Sequence, residues 1–142
     1  MKSKSFSRRQ LSLLLPALAG SGTAAAEDKV LASNMYAFED LPVKQNGKNR
    51  SRAVLDGLTH KGFRIELHHT ELAPGEAPHA PHQHEREELL MIREGTLEVT
   101  ILGKSKKMGA GSIVLVASNE MPGWRNVGAT QAHYVVMALG RD

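Results

Sequence analysis

The chain is built from short segments in which every second residue is apolar, and glycine, proline or asparagine interrupts each segment. Phe63, Ile65 and Leu67 alternate with polar residues, and the segment 96–102 repeats this pattern. A period of two residues is typical of a half-buried β-strand, because successive side chains of a strand point to opposite faces. No segment of residues 27–142 has a strong helical period. Strands this short and numerous predict an all-β, antiparallel sandwich or barrel.

The same reasoning predicts further elements along the chain. Tyr36 and Phe38 alternate with small or polar neighbours and predict a short strand. The segment 44–52 is polar and contains glycine and asparagine, so it predicts an exposed loop, and Asp56 with Gly57 predicts a turn. Other short strands are predicted at 52–55, 89–93, 105–108, 113–116, 124–126 and 133–139.

The composition limits the chemistry that the chain can carry out. Its 142 residues are typical of a single domain that buries a core without disulfides. The sequence contains no cysteine, so any metal ion would be bound by nitrogen and oxygen atoms. It also lacks a G-x-S-x-G motif, a P-loop and a dinucleotide fingerprint, so hydrolysis by a nucleophilic triad and nucleotide chemistry are unsupported.

Residues 1–26 have the three parts of a secretory signal peptide. Basic residues precede a short apolar run, and a segment of small residues ends at Ala26. The apolar run is too short to span a membrane, and cleavage after Ala26 would leave residues 27–142 as the folded domain. A disordered or amphipathic N-terminal arm is the alternative interpretation.

The adjacent residues Arg8 and Arg9 refine the prediction of export. The segment 6–11 resembles the twin-arginine export signal, in which two arginines are followed by an apolar residue two positions on. This resemblance implies that the protein crosses the membrane already folded and is periplasmic or secreted. An ordinary secretory signal with two arginines among its basic residues is the alternative.

The basic balance of the whole chain comes from this N-terminal segment. The chain has 18 Lys and Arg against 15 Asp and Glu, a formal charge of +3. Residues 1–26 contain four of the basic residues and none of the acidic ones, so residues 27–142 have 14 against 15 and a formal charge of −1. We therefore predict no nucleic-acid partner and, after signal removal, no membrane partner.

Three of the seven histidines lie close together within the segment 74–95. On a strand, His82 and His84 would project from one face, and Glu88, an even number of residues further on, would return to it. Two imidazoles and one carboxylate form a donor set suited to a divalent metal. These three residues are the candidate ligands, with iron or manganese favoured over zinc or nickel. A solvated histidine-rich loop is the alternative.

The order of these elements resembles a single-domain cupin of the type-2, RmlC-like kind, whose fold is a jelly-roll barrel or double-stranded β-helix. The first cupin motif is a glycine, a spacer, H-x-H, three or four residues, a glutamate, six residues and a glycine. The matching residues in this chain are Gly75, His82, His84, Glu88 and Gly95. The spacer is one residue longer than usual. The resemblance covers about residues 60–140.

The second cupin motif contains a histidine that serves as the fourth metal ligand and lies four residues before an asparagine. Gly111, the segment 113–116 and Asn126 fit this motif, but Pro122 occupies the ligand position. Proline offers no donor atom to a metal. The resemblance therefore implies a reduced site of two histidines and one glutamate, a set that leaves coordination positions open.

Two further histidines are candidates to replace the missing ligand. His79 lies upstream of the first motif, and His133 begins the last predicted strand. The alternatives are a loop histidine and a strand-edge histidine without a metal.

Trp124, Asn126 and His69 are the candidate pocket residues. Trp124 and Asn126 share strand parity with the position of the missing ligand, and His69 follows the side of Ile65 and Leu67. A core position is the alternative for Trp124.

Two hypotheses of function follow. In the first, the protein is an exported enzyme whose metal polarises a small oxygen-rich substrate or activates dioxygen, as in cupin oxygenases, isomerases and decarboxylases. In the second, it is a non-catalytic cupin that binds a sugar or a carboxylate beside a degenerate metal site, which Pro122 favours. The fold alone does not choose between them. The resemblance also implies a homodimer.

Overall fold

The computed structural model describes residues 29–83 and 85–140, which form nine β-strands and one short 3₁₀-helix, Phe38–Asp40. The strands are β1 Val43–Asn46, β2 Asn49–Leu58, β3 Arg64–Leu72, β4 Glu87–Glu94, β5 Thr96–Ile101, β6 Lys104–Gly109, β7 Ile113–Val116, β8 Gly123–Asn126 and β9 Ala132–Leu139. The all-β prediction is confirmed. The predicted signal peptide lies outside the described residues. Within the described ranges, no helix is long and apolar enough to cross a membrane.

Two antiparallel sheets make up the fold. The larger sheet has the strand order β1-β2-β3-β9-β4-β7, and the smaller sheet has the order β6-β5-β8. Every pair of neighbouring strands is antiparallel. The last strand lies between β3 and β4, so the C-terminal segment inserts between strands that precede it in the chain. This interleaved order confirms the predicted jelly roll.

The hydrophobic core lies between the two sheets. Leu90 and Val136 from the larger sheet belong to the same buried cluster as Leu97 and Trp124 from the smaller one. Each of these side chains is at most 8% exposed. Burying a large apolar side chain stabilises the fold by roughly 1.5–3 kcal/mol relative to leaving it in water. The alternating apolar residues of the sequence thus hold the two sheets together.

On β3 the polar residues face the interior of the barrel, and the alternating apolar residues Ile65 and Leu67 do not. Glu66, His68 and Thr70 face the barrel interior, where they pair laterally with buried residues of β9. Ile65 and Leu67 therefore lie on the outer face of the larger sheet. The expectation that their side faces the site is wrong, because this part of the barrel interior is a polar cavity and not a packed core.

The predicted strand around Tyr36 and Phe38 is absent from the described residues. Phe38 instead begins the 3₁₀-helix, and its ring packs edge-on against the ring of His69 with 5.2 Å between centroids. This apolar residue therefore serves to pack the N-terminal segment on the outer face of the larger sheet.

The polar segment 44–52 forms a hairpin and not the predicted loop. Its turn contains Gly47 with φ of 59°, and β1 is an edge strand whose side chains are all exposed. Such a strand is held by backbone hydrogen bonds, so its side chains show no apolar alternation. The predicted turn at Asp56 and Gly57 is also wrong, since both lie within β2. A Cβ on Gly57 would lie 2.5 Å from the carbonyl oxygen of Lys29, so this glycine admits the N-terminal segment.

Candidate functional site

A cavity of about 320 Å³ lies against the inner face of the larger sheet. Its wall is formed by Asn46, Asn49, Arg50, Ser51, Ala53, Glu66, His68, Thr70, Pro78, His79, Glu88, Trp124, Tyr134 and Val136. Most of these side chains are polar or charged. Polar groups inside a barrel cost free energy unless they are paired or bind a ligand, so this wall has the composition of a binding cavity.

Trp124 and Tyr134 form a hydrogen-bonded part of the cavity wall. The indole Nε1 of Trp124 donates to the hydroxyl oxygen of Tyr134 over 3.0 Å, and the two rings meet edge to face. Burial raises the pKa of Tyr134 to about 12, although hydrogen bonds with Trp124 and Thr70 act in the opposite direction. Tyr134 therefore keeps its proton at neutral pH and acts as a hydrogen-bonding group.

Glu66 and His68 form a hydrogen-bonded pair on the inner face of β3. His68 Nδ1 lies 3.2 Å from one carboxylate oxygen of Glu66, and Arg86 donates a hydrogen bond to the other oxygen. The hydrogen bond from His68 is the largest of the influences that lower the pKa of Glu66 to about 2, and desolvation opposes it. The carboxylate is therefore ionised at neutral pH.

The sequence favoured His69 as a pocket residue, but the adjacent His68 lines the cavity instead. Neighbouring residues of a strand face opposite sides, so only one of the two can point inward. Leu72 is fully buried and lies an even number of residues from His68. The parity of Leu72 is the signal that would have identified the inner face.

The predicted metal ligands lie around the segment that leads into β4. Glu88 is the second residue of β4, and its half-buried side chain lines the cavity. His82 is exposed in the preceding loop, with its ring centroid 4.5 Å from that of His79, which also lines the cavity. His84 lies outside the described residues. Because β4 begins at Glu87, His82 lies in a loop and the alternation of a strand does not set the direction of its side chain.

The donor atoms of this region suit a divalent metal in kind, because imidazole nitrogen and carboxylate oxygen both bind iron and manganese. Among residues 29–83 and 85–140, no three His, Asp or Glu side chains come close enough together to hold a metal ion. The predicted set of His82, His84 and Glu88 includes a residue outside these ranges and stays a prediction.

Pro122 is buried beside the histidine-rich loop. The next residue, Gly123, begins β8, and a Cβ there would lie 3.1 Å from Cγ of Pro81. The loop that carries His82 thus packs closely on the start of β8. In the cupin motif this position would supply a histidine, whereas the proline ring supplies no donor.

His133, a candidate substitute ligand, lies on the outer face of the larger sheet and does not line the cavity. Its Nε2 is 2.9 Å from Nδ1 of His69, so the two rings share a hydrogen bond. The ring of Phe38 covers both, and the guanidinium of Arg52 lies 4.4 Å from the centroid of Phe38. His133 is placed away from the cavity because its neighbour Tyr134 faces inward.

The paired histidines predict a loss of stability in mild acid. Burial is the main cause that lowers the pKa of both His69 and His133 from the ordinary value of 6.5. The unfolded chain therefore binds more protons than the folded chain just below that pH, and the free energy of unfolding falls as the pH drops from about 7 to about 5. Thermal unfolding at a series of pH values measures the decline. A variant with His69→Gln and His133→Gln should show a shallower decline, and an unchanged slope would contradict the prediction.

Asn126 is fully buried and ties strands together. Its side-chain amide donates to the carbonyl oxygens of Leu72 and Thr130, and its side-chain oxygen accepts from the backbone N–H of Gly128. The sequence had suggested a pocket residue. In the structure Asn126 does not line the cavity and instead hydrogen-bonds three backbone groups, of which the carbonyl of Leu72 is fully buried.

Comparisons with known proteins agree with this architecture. The family model Cupin_2, a cupin domain, matches residues 68–138. No curated protein matches the chain significantly. Solved structures that resemble it include an RmlC-like cupin from Shewanella frigidimarina, with TM-score 0.65, 15% identity and coverage of 78% of this chain and 93% of that one.

Two other solved structures also resemble the chain. KdgF from Halomonas sp. has TM-score 0.67 and 14% identity, with coverage of 77% of this chain and 96% of that one. The polyketide cyclase RemF from Streptomyces resistomycificus has TM-score 0.65 and 17% identity, with coverage of 78% and 81%. Identities this low establish the fold alone. The family match over residues 68–138 shows that the chain belongs to the cupin family.

Proposed function

We propose that the protein is an exported cupin that holds a divalent metal through His82, His84 and Glu88 and binds a small oxygen-rich molecule beside it. The observation that carries the proposal is the polar cavity wall, which contains Glu88 and adjoins the histidine-rich loop. Its volume of about 320 Å³ suits a small molecule. Membership of the cupin family supports metal and small-ligand binding in general terms.

Iron or manganese is the proposed metal because the donors are imidazole and carboxylate and the chain has no cysteine. When bound, such an ion supplies a Lewis acid for an oxygen atom of the ligand. Three protein ligands leave positions open for water or substrate. The proposed export in the folded state, which rests on the twin-arginine-like segment, is consistent with this choice, since a metal loaded in the cytoplasm avoids competition from copper and zinc. Export that proceeds unfolded through the general secretion route would remove that support.

Elemental analysis of the full chain, purified after cytoplasmic expression, tests the metal. We expect about one iron or manganese ion per chain. His82→Ala should lose most of it because one of three ligands is gone. Pro122→His should bind the ion more tightly, by at least the roughly 10–100-fold associated with an outer contact to a metal ligand. His60→Ala, at an exposed turn, is the matched control and should retain the metal.

The second candidate function is non-catalytic binding of a sugar or a carboxylate beside a degenerate metal site. The observation in its favour is the buried Pro122 at the fourth ligand position. An absence of stoichiometric metal in the parent chain, with metal gained by Pro122→His, would select this function over a metal-dependent oxygenase, isomerase or decarboxylase.

We also propose that two copies pair through the outer face of the larger sheet. Register places Leu115 of β7 beside Leu89 of β4, Met137 of β9 and Leu67 of β3, which forms an apolar row across four strands. Leu115 lies on the edge strand β7, and its apolar side chain is 62% exposed. An exposed apolar edge is a natural surface for a second copy of the same chain.

The homodimer predicts a specific effect of charge on this row. Leu115→Glu should shift the chain from dimer to monomer in size-exclusion chromatography with light scattering, because a desolvated carboxylate opposes association. Leu102→Glu is the matched control, since Leu102 is 75% exposed in the turn between β5 and β6. A parent chain that is monomeric, or a Leu115→Glu variant that remains dimeric, would contradict the proposed interface.

A further inference from the structure

His68 lines the cavity. One of its ring nitrogens bonds Glu66, and the other has no hydrogen-bond partner among the described residues. An ionised carboxylate can only accept hydrogen bonds, so Nδ1 of His68 is the donor to Glu66. A neutral imidazole with its proton on Nδ1 has a lone pair on Nε2. No hydrogen bond to Nε2 occurs within the described part of the chain. The lone pair is therefore available to a molecule in the cavity.

The neighbours of His68 fix the orientation of its ring, and its two lateral neighbours offer no hydrogen-bonding group to Nε2. On the inner face of the sheet, His68 lies between Ala53 of β2 and Val136 of β9, neither of which has a polar side chain. Glu66, two residues before it, is held in turn by Arg86. A carboxylate that is itself held by a guanidinium orients the imidazole in the way that the third member of a catalytic triad does.

Glu88, a proposed metal ligand, and this histidine line the same cavity from two strands of the larger sheet. Ala138 of β9 pairs with Glu66 on one side and with Glu88 on the other. Two strand spacings, about 10 Å, therefore separate the backbone of Glu66 from that of Glu88. The small side chain of Ala138 leaves room between the two carboxylates. A molecule in this space would touch Nε2 of His68 and the region of Glu88 together.

We propose that His68, oriented by Glu66, is the proton acceptor for a hydroxyl group of a small hydroxylated molecule bound in this cavity. The ligand O–H bond breaks, its proton moves to Nε2, and the electron pair stays on the ligand oxygen. The imidazolium that forms keeps its Nδ1–H bond to Glu66, whose negative charge stabilises it. Return of the proton from Nε2 restores the starting state, so the step needs no further reactant.

The charged groups that face His68 are consistent with this role. Glu66 and Arg86 form the network behind the ring, Glu88 reaches in from β4, and His79 approaches from the loop. Arg50 at the cavity wall is engaged by Glu71 at 2.7 Å. The wall therefore does not present an unpaired cluster of positive charge, which favours a hydroxylated ligand over a strongly anionic one.

The inference rests on the proposed ligand-binding function of the cavity, but its test does not require metal. Imidazole ¹⁵N NMR of the full chain should show His68 as the Nδ1–H tautomer. Diethyl pyrocarbonate, which acylates neutral imidazole nitrogen, should modify His68 at neutral pH, as quantified by peptide mass spectrometry. Exposed His60 serves as the internal reference. Glu66→Gln should slow modification of His68 several-fold relative to His60, because the carboxylate that stabilises the positive charge developing on the ring during acylation is lost while an acceptor for Nδ1–H remains.

Each outcome separates this inference from the proposed metal function. The Nε2–H tautomer in the parent chain would overturn the inference without any variant. Equal rates of His68 modification in the parent and in Glu66→Gln would also overturn it. Metal content that is unchanged in His68→Gln would support a proton acceptor, whereas loss of metal would assign His68 to metal binding instead. A reactive His68 in a chain that binds no metal would leave the inference standing and reject the metal proposal.

Discussion

Gly95→Ala is expected to lower the free energy of unfolding by roughly 2–5 kcal/mol, a large part of the stability of a domain this size. Gly95 has φ of 79°, a conformation that costs a residue with a Cβ about 1–2 kcal/mol. A Cβ there would lie 2.7 Å from Cα of Ala132 and 2.9 Å from the carbonyl oxygen of Gln131. Both contacts involve backbone or short groups that cannot rotate away, so the start of β9 must shift.

Urea unfolding of Gly95→Ala and Gly103→Ala measures the two contributions separately. Gly103 has a similar φ of 74°, but nothing lies within 4 Å of its added Cβ. Gly103→Ala should therefore show only the conformational cost, and Gly95→Ala should lose about 1–3 kcal/mol more. Similar losses in the two variants would show that the close approach to β9 is not what requires the glycine.

The position of Gly95 explains the size of the expected effect. It connects β4 of the larger sheet to β5 of the smaller one, so the chain changes sheet at this residue. The segment that begins β9 crosses directly over it. The glycine that ends the first cupin motif is therefore needed for the closure of the barrel, although it does not line the cavity.

Asn126→Ala is the second substitution with a large expected effect, a loss of roughly 3–5 kcal/mol in the free energy of unfolding. The change would leave the carbonyl oxygens of Leu72 and Thr130 and the N–H of Gly128 without this partner. A buried polar group that loses its hydrogen bond costs about 1–3 kcal/mol. Asn126 is 0% exposed, so water has poor access to replace the amide.

Loss of the Asn126 side chain should also loosen the segment that leads to the histidine-rich loop. Backbone hydrogen bonds join Gly75 N–H to the Asn126 carbonyl and Asn126 N–H to the Glu76 carbonyl. Thermal unfolding and hydrogen exchange of these amides measure the two effects. Asn34→Ala is the matched control, because Asn34 is exposed and bonds only the neighbouring backbone. A loss in Asn126→Ala no larger than in Asn34→Ala would contradict the structural role.

Local patterns in the sequence were sufficient to predict the strands β5, β7 and β9. Each strand contributes buried apolar residues to the core, from an alternating pattern in β5 and from continuous apolar runs in β7 and β9. The strand β1 escaped prediction because an edge strand is held by its backbone and has no apolar face. The strand predicted around Phe38 was wrong for the opposite reason. An apolar residue that packs on the outside of a sheet gives the same local sequence pattern as one within a strand.

The sequence by itself determined the all-β class, the cupin family and the residue types of the proposed metal set, because spacing and composition carry these along the chain. The tertiary structure decided which residues share the cavity. His68 faces inward and His69 outward because β3 pairs with β9, a strand more than sixty residues later, and that register is not written in either segment alone. The same pairing places His133 on the outer face, and the hydrogen bonds of the Asn126 side chain with the backbone of Leu72, Thr130 and Gly128 keep it out of the cavity wall. Inner and outer faces follow from long-range contacts, and only the folded sheet settles them.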